Sequence, residues 1–361
     1  MLKFLLAIVL LCKALHATPN IVCYYDSRSA GYSTPTFPSS ISATNCTHYV
    51  YDGVGVTAQG DIRILSSYDT ASGFTDFQTL RKNADIKLYV LLSSERDASK
   101  NLTNAIATRC EKLVNGVAVF LEQYGFDGVE VDRRGNDFDK GLLAKFVNRL
   151  RSRLYMVNKQ LSVAVSAQFS DAYDITSLSM YADMINFHAY NFTSTSATAN
   201  LAPLYTSSPN NVVSVNSTVT AWLAAGARKN KINLVLASFG RTYALASEDQ
   251  RGVGSRTTGP GAAGSNTKRA GLLARYEFCS LLSSGYSSES DSDTVTSYYF
   301  KGKNWVSIET EDTVVQKLTF VLDNRLAGVG INTIDLDDAT NSCGNGAYRI
   351  SELARGYFSE G

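Results

Sequence analysis

Short apolar runs recur at positions 21–25, 48–53, 87–92, 128–132, 161–167, 184–190, 232–239 and 328–334, and their content of Val, Ile, Tyr and Phe predicts β-strands. Between them, apolar residues return every three or four positions at 74–84, 102–124, 138–159, 219–229 and 313–325, which predicts amphipathic or buried helices. In 138–159, Leu142, Phe146, Leu150 and Leu154 lie four apart, while Lys, Asn and Arg fill much of the other side. Strand and helix alternate as a parallel βα repeat requires, and eight strands can close a barrel. One interval breaks the rhythm. Residues 242–311 are too many for a bare connection and carry strand signals of their own at 295–300 and 305–308, with a helix at 270–282. The expected fold class is α/β: a (β/α)8 barrel of the TIM type over 18–361, with 242–311 as a small α+β insertion domain.

One stretch interleaves apolar and charged positions more sharply than the others. From Gly125 through Asp127, Gly128 and Val129 to Arg134, an extended chain places Glu130, Asp132 and Arg134 on one face and Val129 and Val131 on the other. Charged side chains that step toward the C-terminal end of an inward face mark the mouth of such a barrel, where active sites are built.

Composition narrows the setting. The formal net charge is +1, which supplies no electrostatic reason to expect nucleic acid or an anionic membrane as partner. Residues 1–17 carry an early Lys3, an apolar run from Phe4 to Leu11 and a small residue at their end, the pattern of a cleaved secretory signal. Cys12 would leave with it, so Cys23, Cys46, Cys110, Cys279 and Cys343 remain, an odd number in an oxidising compartment. Sequons at Asn45, Asn101, Asn191 and Asn216 are glycosylation candidates and fit an extracellular glycoprotein. His16 lies in the leader. His48 and His188 lie in apolar strand runs with no metal-ligand spacing, so they read as core histidines, and neither a metal nor a cofactor is expected.

The segment from Phe126 to Asp132 resembles the signature strand of glycoside hydrolase family 18, the chitinases and their relatives, in which the pattern Asp-Gly-apolar-Asp-apolar-Asp-x-Glu ends on the proton donor. Other segments resemble the same family in the same order. They are Val22-Cys23-Tyr24-Tyr25, Cys46-Thr47-His48-Tyr49-Val50-Tyr51, residues 185–191 at a Met-x-Tyr-Asp strand, Phe239-Gly240-Arg241-Thr242-Tyr243, and Ile334-Asp335-Leu336-Asp337-Asp338. Gly259-Pro260-Gly261-Ala262 and the run 271–279 resemble motifs of the family's insertion. The resemblance implies disulfides Cys23–Cys46 and Cys279–Cys343, with Cys110 left as a buried structural thiol on a barrel helix.

It also implies a degenerate site made of Asp127, Glu130, Asp132 and Arg134, because Arg134 stands where the donor Glu belongs. Hydrolysis of this type is substrate-assisted: the sugar's N-acetyl group attacks the anomeric carbon, a Glu protonates the leaving oxygen and an Asp steadies the acetamido group. Asp132 can serve the second task. Arginine cannot serve the first, since its guanidinium does not release a proton in proteins. Further departures lie at Ser93-Ser94, where the family has Ser-x-Gly-Gly, at Asn191 in place of Asp, and at Asn332 in place of a floor Trp. Tyr24, Asp132, Tyr190, Asn191, Arg241 and Asn332 are the ligand-binding candidates. The expected protein is a secreted, non-enzymatic chitinase-like protein that acts as a glycan- or chitin-binding lectin or as a growth-factor-like signalling protein. Its expected partner is a chitooligosaccharide or other glycan, or else a cell-surface or extracellular protein, with no nucleic acid and no membrane. Three other readings stay open: a working glycosidase whose acid has moved to Glu130, Asp137 or Asp139, a purely protein-binding scaffold, and an internal ion network in which Asp132 and Glu130 survive only as partners of Arg134.

Overall fold

The computed structural model describes residues 18–41, 45–92, 100–135, 138–168, 170–192, 196–206 and 213–360. The expected leader at 1–17, with Cys12 and His16, lies outside the described residues, as do Ser93, Ser94 and Asp137. The chain begins with β1 (Asn20–Asp26) and β2 (His48–Val56), which is extended by a short antiparallel β3 (Ile62–Ile64). The barrel continues with β4 (Lys87–Leu92), β5 (Gly128–Arg133), β6 (Gln160–Ser166), β7 (Met184–His188) and β8 (Ile232–Ala237). The chain then leaves for a second sheet, β9 (Phe239–Leu245), β10 (Thr257–Pro260), β11 (Leu272–Ala274), β12 (Ser287–Asp291), β13 (Thr296–Lys301) and β14 (Asn304–Ser307), and returns as β15 (Gly328–Asn332). Strands β1, β2, β4, β5, β6, β7, β8 and β15 pair in parallel in that order, and β15 pairs back on β1, so the sheet closes into the expected (β/α)8 barrel.

Alternation along the strands sorts the core into two layers. Val22, Tyr24, Val50, Tyr89, Leu91, Met184 and Val235 fill the inside of the barrel. Ile21, Cys23, Tyr25, Val129, Val131 and their equivalents point outward into a larger core, which the helices cover. These are α1 (Phe74–Gln78), α2 (Asn101–Thr108), α3 (Cys110–Tyr124), α4 (Lys140–Met156), α5 (Ile175–Tyr181), α6 (Val215–Ala224), α7 (Arg275–Leu282, in the insertion), α8 (Glu311–Asp323) and α9 (Arg349–Glu360). The single helix expected at 102–124 is two, broken where Arg109 takes φ −135° and ψ 26°. Leu142 sits in the first turn of α4, where Asp139 caps the helix by accepting from the Leu142 N–H at 2.8 Å, and it stays partly exposed while Phe146, Leu150 and Leu154 are buried.

The second sheet runs β10-β9-β14-β13-β12, with β11 on the other side of β9. Its first strand starts at Phe239, because the strand expected at 232–239 breaks at Ser238, whose N–H donates to the Asn332 carbonyl at 3.0 Å. Cys279 on α7 is bonded to Cys343, and Cys23 on β1 to Cys46. Cys110 is a free thiol at the start of α3, half-buried rather than buried as expected, because its helix turn faces the rim of the outer core.

Candidate active site

The floor of the mouth is Glu130. It has no exposure, and three donors hold its carboxylate: Tyr24 OH from β1 at 2.6 Å, Ser162 Oγ from β6 at 2.7 Å, and the Asn186 amide from β7. Below it a polar file descends through the barrel, since the Asn233 side-chain amide donates to Asn186 Oδ1 at 2.8 Å and that of Asn20 donates to Asn233 Oδ1 at 3.2 Å. Burial dominates over the three hydrogen bonds and raises the Glu130 carboxyl to about 7. The strand can run this close to its neighbours because position 128 is glycine. A Cβ there would lie 2.7 Å from the Gln160 carbonyl and 2.5 Å from the Tyr89 ring.

Two residues on along the same inward face, Asp132 is also without exposure and lies nearer the C-terminal end of the strand, at the mouth. Arg134 grips it at two points, with Nε 2.9 Å from Oδ1 and a terminal nitrogen 2.6 Å from Oδ2. The Arg134 N–H adds a longer contact to Oδ1 at 3.3 Å. Arg133 turns away and lies over the Phe138 ring, 4.2 Å from its centroid. Beside the pair, His188 at the end of β7 is buried, stands edge-on to Tyr24 at 5.4 Å and shares a 2.7 Å hydrogen bond between its Nδ1 and Tyr190 OH. Its Nε2 has no partner among the described residues. Burial first, and then the charge of Arg134, depress its pKa well below the ordinary value, so the ring is neutral.

A closed parallel barrel with acids on one strand end admits many chemistries, so the comparison with known proteins decides. The model of glycosyl hydrolases family 18 matches residues 20–337. The chain belongs to glycosyl hydrolase family 18. It is 28% identical to probable chitinase 10 of Drosophila melanogaster over 92% of its own length, although it spans only 16% of that protein. It is 27% identical to chitotriosidase-1 of Mus musculus, covering 93% of this chain and 77% of the mouse protein. Its fold superposes on the Ostrinia furnacalis group IV chitinase solved with allosamidin at a TM-score of 0.90 and 25% identity, covering 95% of this chain and 99% of that one.

Within this family 18 frame the expected site residues separate. Glu130, Asp132 and Arg134 meet at the mouth together with Tyr24 and, through His188, Tyr190. Asp127 does not join them. It precedes β5 and therefore lies at the opposite end of the strand, where its carboxylate accepts from the Leu88 N–H at 2.8 Å and pairs with Arg81 at 2.9 Å. Tyr24 is buried, with its hydroxyl on Glu130, so it positions the floor. Asp139 is spent on capping α4.

Asn191 is exposed just past β7 at φ 58°, with its N–H on the Leu201 carbonyl at 2.8 Å. Asn332 ends β15. Arg241 lies on β9, in the second sheet, near the Tyr243 ring. Of the two acids, only Asp132 pairs with Arg134, while the Glu130 oxygens are taken by Tyr24, Ser162 and Asn186. Sequence reasoning passed over Ser162, Asn186 and His188. Their signal was period-2: Asn186, His188 and Tyr190 fall on the inward face of one strand, where small polar residues interrupt an apolar run. His188 is therefore a buried histidine as expected, but one that borders the site.

Proposed function

We propose that this family 18 chain is a secreted chitinase-like protein that has lost hydrolysis and holds a chitooligosaccharide or related glycan without cutting it. The observation that carries this reading is the two-point grip of Arg134 on Asp132. Family-type hydrolysis asks for a proton donor at position 134 and an Asp132 free to meet the acetamido group. Arginine has no proton to give near neutral pH, and here it also occupies both oxygens of Asp132. A positioned general acid contributes on the order of 10²–10⁴-fold in rate. Glu130 is a poor substitute, since it is sealed beneath the mouth with both oxygens engaged.

Support for a retained glycan wall comes from Tyr32, Tyr190 and Tyr276, which are partly exposed around Phe239 and Leu272 where the barrel meets the second sheet. Aromatic faces in such a place can stack on a pyranose ring. The two disulfides fit an oxidising, extracellular setting. A competing reading is a growth-factor-like or scaffold protein that binds other proteins outside the cleft. It draws on Asn332, which leaves no ring on the floor, and on the exposed Asn191, where a glycan would crowd the cleft.

A fluorogenic chitooligosaccharide assay tests the loss of activity. The wild type should release nothing above a heat-killed control, and Arg134→Glu should gain measurable release. Turnover by the wild type would sink the proposal. A chitooligosaccharide pull-down then separates lectin from scaffold, with retention expected for the first and none for the second.

A further inference from the structure

The pole of the barrel opposite the mouth is not uniform. At the N-terminal ends of β6, β7 and β8, three large apolar side chains stand in solvent: Tyr155 is 76% exposed, Met156 80% and Met180 52%. They occupy the last turns of α4 and α5. Around them lie Lys159, Arg228, Lys229 and Lys231.

The ends of α4 and α5 are joined at this pole by Arg151 of α4, which pairs with Asp183 just after α5, and the cations are held beside them. The Lys159 N–H donates to the Leu154 carbonyl at 2.9 Å, beside Tyr155 and Met156. The Arg228 N–H donates to Ser179 Oγ at 3.0 Å, next to Met180, and Lys231 Nζ donates to the Ala182 carbonyl at 2.6 Å. Burial, together with the charges of Arg228 and Arg151, lowers the Lys231 pKa, as expected where cations crowd. The acids at this pole are held by cations: Asp183 by Arg151 at 2.9 Å, and Asp127, whose carbonyl accepts from the Gln160 N–H at 2.9 Å beside Lys159, by Arg81 at 2.9 Å. Lys159, Arg228 and Lys229 form no ion pair among the described residues.

We propose that this rim, formed by Tyr155, Met156 and Met180 with Lys159, Arg228 and Lys229, docks the protein onto an anionic phospholipid surface. Cations alone would suit a sulfated polysaccharide, but such a polyanion makes no use of exposed Tyr and Met. A protein partner of ordinary affinity needs roughly 800 Å² of shaped surface on each side, whereas these side chains stand on the ends of two helices. The boundary layer of a bilayer takes both kinds of group, phosphates and carboxylates meeting ammonium and guanidinium while the ring and thioethers enter the acyl edge. The near-neutral net charge of the whole chain conceals this local segregation. The candidate sequons leave the patch clear. Asn101, Asn191 and Asn216 follow strand C-terminal ends, and Asn45 precedes β2, across the barrel from β7.

The test is co-sedimentation of the full chain with vesicles of phosphatidylcholine alone and of phosphatidylcholine with phosphatidylserine, at low and high salt. Binding is expected only to the anionic vesicles, and it should be lost at high salt. The triple variant Lys159→Glu, Arg228→Glu, Lys229→Glu should bind more than about tenfold more weakly. Tyr155→Ser with Met156→Ser should weaken binding by roughly fivefold or more. All substituted side chains are half-buried or exposed, so thermal melting should show both variants folded. The proposal is overturned if the wild type ignores anionic vesicles, or if both variants bind as well as it does. It is equally overturned if the chain is retained on heparin through these cations but not on vesicles, which would make the surface a glycan site.

Discussion

Asp132 and Arg134 meet because β5 ends between them. Arg133 is the last residue of the strand, and the turn in the backbone after it brings the Arg134 N–H and guanidinium back onto the carboxylate. The side chains are 0% and 19% exposed, so most of the pair is out of water. Removing the cation alone strands a buried carboxylate. Arg134→Ala should therefore cost about 2–4 kcal/mol, somewhat less than for a fully buried pair. Replacing both, as Asp132→Asn with Arg134→Met, should recover most of that loss, because no unpaired charge is left. Denaturant unfolding of the three proteins checks this, and equal stabilities would mean that solvent already screens the pair. The sequence was enough to place Arg134 at the donor position, since period-2 alternation sets which face it shares. It could not say whether the guanidinium would close on Asp132 or swing outward, because that depends on where the strand stops. The same limit hid the role of Tyr24, whose partner Glu130 comes from another strand, and that of His188, which stands against Tyr24 from across the barrel.

At the scale of elements, the eight barrel strands were legible almost residue for residue because buried parallel strands are continuous apolar runs, whereas the short β3, β10, β11 and β12 were not expected. Helices α5 and α9 were not predicted. The first has only seven residues, too few to show a period, and the second is largely polar. The cross-strand polar file was also hidden, and it carries a pH dependence. Glu130 titrates near 7 in the folded chain against an ordinary value of 4.5. Between those values the unfolded chain is ionised while the folded one keeps its proton. Stability therefore falls as pH rises through this window, by on the order of 3 kcal/mol when it is crossed. Asp335, buried beside Asp26 and also raised to about 7, acts in the same direction. His48, lowered to about 4 chiefly by burial, acts in the opposite one, since below the ordinary 6.5 only the unfolded chain takes up its proton. Glu130→Gln keeps the shape and removes one titration. Its unfolding free energy should drop less than that of the wild type between about pH 5 and about pH 8. Parallel curves for the two proteins would mean that Glu130 is already ionised under its three hydrogen bonds.

For the whole molecule, the question is how the second sheet is fastened to the barrel. Its strands join the barrel through Ser238 at one end and α8 at the other, and Cys279–Cys343 closes a separation of 64 residues between α7 and the loop after β15. That loop is itself held, since the Asp338 carboxylate accepts from the Ser342 N–H at 2.8 Å and the Cys343 N–H at 2.6 Å. Arg275 adds a hydrogen bond from α7 to the Glu309 carbonyl at 2.8 Å. Cys23–Cys46, by contrast, spans 23 residues and lies between β1 and the residues just before β2, inside the barrel's own wall. Loop-closure entropy grows with the logarithm of the separation, so the longer bridge should contribute about 4 kcal/mol and the shorter about 3 kcal/mol. The more telling difference is where each loss appears. Cys279→Ala with Cys343→Ala should speed amide exchange in β9 to β14 while the barrel strands β4 to β7 keep their protection, because the bridge joins two packed bodies and does not run through either. Cys23→Ala with Cys46→Ala should loosen the barrel as one unit, since a closed sheet has no edge at which to open independently. Uniform loss of protection in the first variant would mean that the second sheet and the barrel unfold together, held by the β9, α7 and β15 contacts without the sulfur link.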